Sequence, residues 1–160
     1  MAELALQVVD GVLVLVLAAW LTLGVLDNIR HSAINRDDVA RVLRMEALAD
    51  WPEVMARVGH RRIDDPAVAV RLFGLIVIAE LAASLLLWAA FVALTGVVFG
   101  LWPGEAPQAL ALVAVLGFTL IWTGFLIGGQ WFYYWYGAFG QQSHYLAAIW
   151  GIATLAVLAS

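Results

Sequence analysis

Hydrophobic residues occur in four long runs along this chain, and polar stretches separate them. The runs cover about residues 4–26, 69–98, 108–130 and 141–158. Each run is close to the roughly 20 residues that a helix needs to cross a bilayer. The last run is marginal, because its uninterrupted apolar part, from Tyr145 to Leu158, has only 14 residues. The pattern predicts an all-α polytopic membrane protein, with four transmembrane helices in one domain covering residues 1–160.

One long hydrophilic segment, residues 27–66, lies between the first two runs and predicts a short amphipathic helical hairpin. Asn35 is placed to cap the first helix, and two aspartates follow in its first turn, where they complement the helix dipole. In the second helix, Trp51, Val54 and Met55 recur at helical spacing. We expect the hairpin to lie on the bilayer surface with its apolar side down, or to dock on a partner protein.

The basic residues indicate an orientation. With four spans, all eight arginines and all three histidines fall on or near the side of the membrane that carries residues 27–66. The positive-inside rule counts Lys and Arg near span ends, and it places this segment in the cytoplasm. The N-terminal run has no basic segment before it and no small-residue cleavage site, so we interpret it as a retained helix.

Composition agrees with a lipid environment and excludes several kinds of function. The chain is 64% hydrophobic and 12% charged, against about 45–50% and about 25% in soluble proteins. The absence of cysteine excludes disulfides, thiolate metal sites and cysteine nucleophiles. A net charge of -4 argues against nucleic acid as a partner. Because no phosphate loop, nucleophile triad or zinc motif occurs, we expect neither enzymatic activity nor a metal.

Glu80 is the most informative polar residue, because it interrupts the second hydrophobic run. It is expected about eight residues from the membrane edge, or about 12 Å deep. A carboxyl group there needs a buried partner or stays protonated. Asp10 differs from it by about 12 Å in depth, which excludes a carboxylate pair. Groups at a suitable depth to donate to Glu80 are Trp20, Trp122, Thr123, Trp150 and Thr154. A structural hydrogen bond and a proton or ion pathway both stay open.

Six aromatic residues in a row, Trp131 to Tyr136, follow the third run. We interpret them as an aromatic belt at the bilayer surface; a surface that binds a quinone, a haem or a lipid is the alternative. His31 and His144 fall at span ends on the same side, and two imidazoles from different helices could ligate a haem. No regular histidine spacing supports such a site, so we expect no cofactor.

Several short sequences along the chain, in their order, carry a family resemblance. The first span ends in Asp27-Asn28-Ile29, the loop contains VARVLRM, and the third span ends in GFLIGGQWFYYW. Over nearly its whole length the chain resembles the bacterial predicted small integral membrane proteins catalogued as domain of unknown function 2165. The most specific part is Gly128, Gly129, Trp131, Phe132 and Trp135, which is similar to the family pattern Gly-Gly-Glu-Trp-Phe-x-x-Trp.

The resemblance implies four helices and a bacterial membrane, and it brings no established activity, substrate or cofactor. Gln130 stands where the family pattern has Glu. The second loop lacks the basic residues of other members, whose charge would place residues 27–66 outside the cytoplasm. The family therefore opposes the orientation that the arginines indicate.

The leading hypothesis is a non-enzymatic accessory or scaffold subunit of a larger bacterial membrane complex, respiratory, photosynthetic or transport. Its docking or lipid face would comprise Trp51, Val54, Met55, Gly128, Gly129, Trp131, Phe132 and Trp135. One alternative is a small transporter or proton-coupled channel that uses Glu80. The other is a redox subunit that binds haem or quinone through His31 and His144.

Overall fold

Helices joined by short turns make up the fold, as the hydrophobic pattern predicts. The computed structural model describes residues 1–160, except the side chains of residues 138–140. The α-helices are α1 (Ala2–Arg30), α2 (Ser32–Leu43), α3 (Pro52–Val58), α4 (Pro66–Val98), α5 (Glu105–Trp131) and α6 (Ala138–Leu158). One-turn 3-10 helices cover Glu46–Leu48, Gly59–Arg61 and Tyr134–Tyr136. The described backbone contains no strand, so the all-α prediction is confirmed.

Three of the described helices, α1, α4 and α5, are long and apolar enough to cross a membrane. The sequence predicted four spans, whereas by length and composition the described helices supply three candidates. The fourth hydrophobic run does form a helix, α6. Its first turns contain Gln141, Gln142 and His144, so the apolar stretch that follows is short for a span.

The ends of the helices extend beyond the predicted spans. Asp65 caps α4, because its carboxylate accepts a hydrogen bond from the backbone N–H of Ala67 at 2.8 Å, and Pro66 fits the first helical position. At the other boundary, α1 continues through its polar end to Arg30 and breaks at His31. Asn35 was predicted to cap the first loop helix, but α2 starts three residues earlier, at Ser32.

The core forms where α1 and α5 each pack against α4. Leu17 of α1, Leu87 of α4 and Phe118 of α5 have no exposed surface. Helix α6 packs mainly on α5, and α1 meets α6 over a short stretch only. The ring of Trp20 spans this gap, with its centroid 5.9 Å from that of Trp150 in an edge-to-face arrangement. The contact between α1 and α6 is therefore made in part by aromatic side chains.

Gly151 lies at a close contact between α6 and α5. A Cβ atom built there would lie 3.2 Å from Cδ1 of Phe118 and closer still to Oγ1 of Thr119. By contrast, Gly124 and Gly128 form a Gly-x-x-x-Gly pair of the kind that permits close helix contact, yet a Cβ at either position meets nothing within 4 Å. The small residue that allows two helices to pack closely is therefore on α6.

Candidate functional site

Glu80 is buried, with 4% of its surface exposed, and it forms part of a hydrogen-bonded chain. Nδ2 of Asn28 donates to Oε2 of Glu80 at 2.7 Å. Nδ2 of Asn35 in turn donates to Oδ1 of Asn28. The chain joins α4 to α1 and α2, so one buried carboxyl group ties together three helices.

The predicted donors to Glu80 are not its partners. Because Asn28 is two residues from the end of α1, Glu80 lies level with the last turn of that helix and not half-way along it. Oγ1 of Thr123 donates instead to the carbonyl of Thr119 at 3.0 Å. Nε1 of Trp122 is buried and has no hydrogen-bond partner among the described residues. Asn28 could have been recognised as a candidate donor to Glu80 because it is a polar residue just before the end of the first span.

Further polar contacts line the same α1–α4 interface, and the hydrophobic pattern of the sequence did not predict them. Oγ of Ser84 and Oγ1 of Thr22 are 2.8 Å apart, and Nε1 of Trp88 donates to Oγ1 of Thr22 at 2.9 Å. Glu80, Ser84 and Trp88 are four residues apart and therefore share one side of α4. This spacing is the pattern that predicts a polar stripe facing a neighbouring helix.

Asp10 lies at the opposite end of the bundle from Glu80. Nε2 of Gln108, near the start of α5, is 3.4 Å from Oδ2 of Asp10 and donates to the carbonyl of Leu158 at 2.6 Å. A cleft of about 300 Å³ opens beside them, with Gln7 and Glu105 among its lining residues. The two intramembrane acids therefore have separate environments and do not form a pair.

Residues 44–65 fold onto the aromatic run, residues 131–136, and we name the two segments together the cap. Met45, Leu48 and Val58 form its buried centre, and Phe132, Tyr133 and Tyr136 pack against them. Met45 and Tyr133 both have left-handed backbone conformations, with φ of 55° and 57°. These two residues turn the chain so that the loop and the aromatic run face each other.

The cap contains most of the predicted partner or lipid face. Val54 and Met55 are half-buried against its centre, whereas Trp51, Trp131 and Trp135 remain exposed. The ring of Trp51 contacts that of Tyr136 edge-to-face, with centroids 5.4 Å apart. The aromatic run therefore has an inner side that packs on the loop and an outer side available to lipid or protein.

Gly129 allows the aromatic run to close on the end of α5. A Cβ atom at this position would overlap the ring of Tyr134, which is 7% exposed. The hydroxyl of Tyr134 is 3.2 Å from Nδ1 of His144, and burial raises the pKa of Tyr134 to about 12. The second glycine of the Gly-Gly-Gln-Trp-Phe sequence is thus needed for close packing, whereas Gly128 meets no neighbour within 4 Å.

The two histidines considered for haem ligation have different surroundings. His31 is exposed at the break between α1 and α2. His144 is half-buried, and its ring stacks on Phe125 with centroids 4.8 Å apart. Among the described residues, no group of three or more His, Cys, Asp or Glu could hold a metal ion. The expectation that the protein carries no cofactor stays a prediction.

Comparison with known proteins identifies the family. A family model described as a predicted small integral membrane protein, DUF2165, matches residues 6–160. No curated protein and no solved structure matches the chain. The match covers both parts of the site, the Glu80 chain and the cap, so the resemblance inferred from the sequence is confirmed. The chain belongs to the DUF2165 family of predicted small integral membrane proteins.

Proposed function

We propose that the protein is a non-enzymatic accessory or scaffold subunit of a larger membrane protein complex in the bacterial inner membrane, of a respiratory, photosynthetic or transport system. The observation that carries this proposal is the cap. Its loop is folded on the aromatic run through buried Met45 and Leu48, so it presents an ordered surface. A preorganised surface loses less conformational entropy on binding than a flexible loop does.

The outer side of the cap has the chemistry of a protein interface. Trp51 is 47% exposed and Trp135 is 38% exposed. Exposed ion pairs lie on the same hydrophilic segment of the chain, Arg41 with Asp38 at 3.0 Å on α2 and Arg44 with Glu46 at 2.7 Å at the start of the loop. Aromatic anchors within a polar rim are typical of residues that dominate binding energy.

In this proposal α6 is the fourth span. Its packing on α5 at Gly151 supports this assignment, as does its exposed apolar side, where Leu146, Ile149 and Ile152 face outward. The polar residues in its first turns would then lie in the headgroup region. With four spans both termini share one side of the membrane, and the arginines favour a cytoplasmic cap.

Purification of the tagged protein from its native membrane in a mild detergent tests the proposal. A larger membrane protein should co-purify in fixed stoichiometry. Recovery of the chain alone, or of a small homo-oligomer, would contradict the proposal. Trp51→Ala should release the partner, because it removes an exposed ring of the cap. Leu101→Ala is the matched control, since Leu101 is also exposed but lies in the turn before α5, away from the cap.

A second candidate function is a small transporter or proton-coupled channel that uses Glu80. The hydrogen-bonded chain from Glu80 through Asn28 to Asn35 favours it, because this chain connects a buried carboxyl group to the loop side. Glu80→Gln keeps an oxygen that can accept the hydrogen bond from Asn28 and removes only the titratable group. It should abolish proton-coupled flux in proteoliposomes while the protein stays folded. An unchanged flux would exclude this candidate.

A further inference from the structure

The arginines divide into two sets according to their partners. Arg36, Arg41, Arg44 and Arg62 each form an ion pair with a nearby carboxylate. Among the described residues, the remaining four form no ion pair, and these are Arg30, Arg57, Arg61 and Arg71. The paired arginines all belong to α2 and the loop that follows. Of the unpaired set, Arg30 ends α1, Arg57 and Arg61 lie in the loop, and Arg71 lies in the second turn of α4.

Arg61 is the unpaired arginine with the most defined position. Its guanidinium carbon is 4.3 Å from the ring centroid of Trp131, a cation–π contact, and 5.6 Å from that of Tyr133. Nη1 of Arg61 also donates to the carbonyl of Trp131 at 3.4 Å. Trp131 is the last residue of α5, a candidate span. The guanidinium is therefore held where that helix leaves the hydrocarbon region.

The protein satisfies this guanidinium only in part. Nε of Arg61 is buried and has no hydrogen-bond partner among the described residues, and no carboxylate balances its charge. Among the described residues, the positive charge held at the end of α5 therefore has no ion-pair partner.

We propose that Arg61 binds the phosphodiester of an anionic phospholipid. The two terminal nitrogens of a guanidinium can donate parallel hydrogen bonds to a phosphate, so the buried Nε is not needed for that contact, and the Trp131 ring holds the group in one plane. Phospholipid phosphates lie at the depth where a span ends, and basic residues at this depth recognise them. The site lies on the cap, at Trp131 instead of Trp51, and lipid binding by Arg61 does not require the partner of the proposed function.

Native mass spectrometry of the detergent-solubilised chain tests this site. The protein is incubated with equal amounts of phosphatidylglycerol and phosphatidylcholine, and the retained lipids are counted. Wild type should retain phosphatidylglycerol preferentially, and Arg61→Gln should lower that retention several-fold. Arg41→Gln is the charge-matched control, because Arg41 is exposed and already paired with Asp38. It should retain lipid as wild type does.

Several outcomes would overturn the proposal. Equal losses in Arg61→Gln and Arg41→Gln would mean general charge attraction only. Unchanged retention in Arg61→Gln would mean that Arg61 serves only to cap α5. Displacement of the lipid by millimolar inorganic phosphate would identify free phosphate as the ligand in place of a lipid. If Arg61→Gln does not fold, Arg61→Lys replaces it: Lys keeps the charge but lacks the planar fork, so retention should be intermediate.

Discussion

Replacement of Gly151 by alanine tests whether α6 belongs to the bundle as closely as the structure places it. The new Cβ would lie 3.2 Å from Cδ1 of Phe118 and would overlap Oγ1 of Thr119. Neither neighbour can move freely. Phe118 has no exposed surface, and Oγ1 of Thr119 donates to the carbonyl of Val115 at 2.8 Å. Helices α5 and α6 must therefore separate slightly to admit the methyl group.

The magnitude follows from two opposing effects. Alanine is favoured over glycine in a helix by about 1 kcal/mol. Overpacking of a close contact costs about 1–3 kcal/mol. Gly124→Ala contains the first effect without the second, because a Cβ at Gly124 meets nothing within 4 Å. The free energy of unfolding of Gly151→Ala should therefore fall below that of Gly124→Ala by about 1–3 kcal/mol.

The assay is reversible unfolding by titration of sodium dodecyl sulfate into detergent micelles, followed by circular dichroism. A double variant, Gly151→Ala with Thr119→Ala, should recover about 1 kcal/mol of the loss, because it removes the atom that the new methyl overlaps. Equal stability of Gly151→Ala and Gly124→Ala would refute the reasoning, since it would mean that α6 does not contact α5 at this glycine.

Three further predictions concern the Glu80 chain, the cap and cofactors. Asn28→Ala should lower the free energy of unfolding by about 1–3 kcal/mol, and by more than Glu80→Gln does, because it leaves a buried carboxyl group without its donor; an equal effect of the two variants would contradict this. The pKa of Tyr134 in the folded protein, about 12, exceeds its ordinary value of about 10. The stability that depends on neutral Tyr134 is therefore complete below pH of about 10 and is lost as the pH rises towards 12. A tyrosinate absorbance titration should show a late phase that Tyr134→Phe removes, and a late phase in that variant would exclude the assignment. The purified protein should show no Soret band, and a band of stoichiometric intensity would restore the haem hypothesis for His31 and His144.

The hydrophobic pattern predicted the helices well because each span is a continuous apolar run. Helix ends were less accurate, since a helix continues wherever its backbone groups can still be paired. Residues 69–98 became Pro66–Val98 because Asp65 supplies a cap. Asn35 was assigned as a cap on its residue type, but it lies within α2 and donates to Asn28. Residue type alone does not distinguish these two uses of asparagine.

The partners of Glu80 could not be predicted, because they depend on how α1 and α4 are aligned along their lengths, and local sequence patterns do not encode that alignment. Glu80 and Asn28 are 52 residues apart in the chain, and their hydrogen bond forms only in one axial register of α1 against α4. The aromatic run is a similar case. Its composition predicted a membrane belt, but the left-handed backbone at Tyr133 turns part of the run towards the loop. Only tertiary packing decides which rings face inward.

The length of α4 has a consequence for the bilayer itself. Its 33 residues rise about 50 Å, against a hydrocarbon core of about 30 Å. The backbone N–H of Ile63 donates to the carbonyl of Leu43, so the end of α2 lies beside the start of α4. A thinner bilayer would favour a larger tilt of α4, and the hydrogen bonds from Glu80 through Asn28 to Asn35 tie α4 to α1 and α2. Any tilt of α4 that α1 and α2 did not follow would therefore have to break or lengthen these hydrogen bonds.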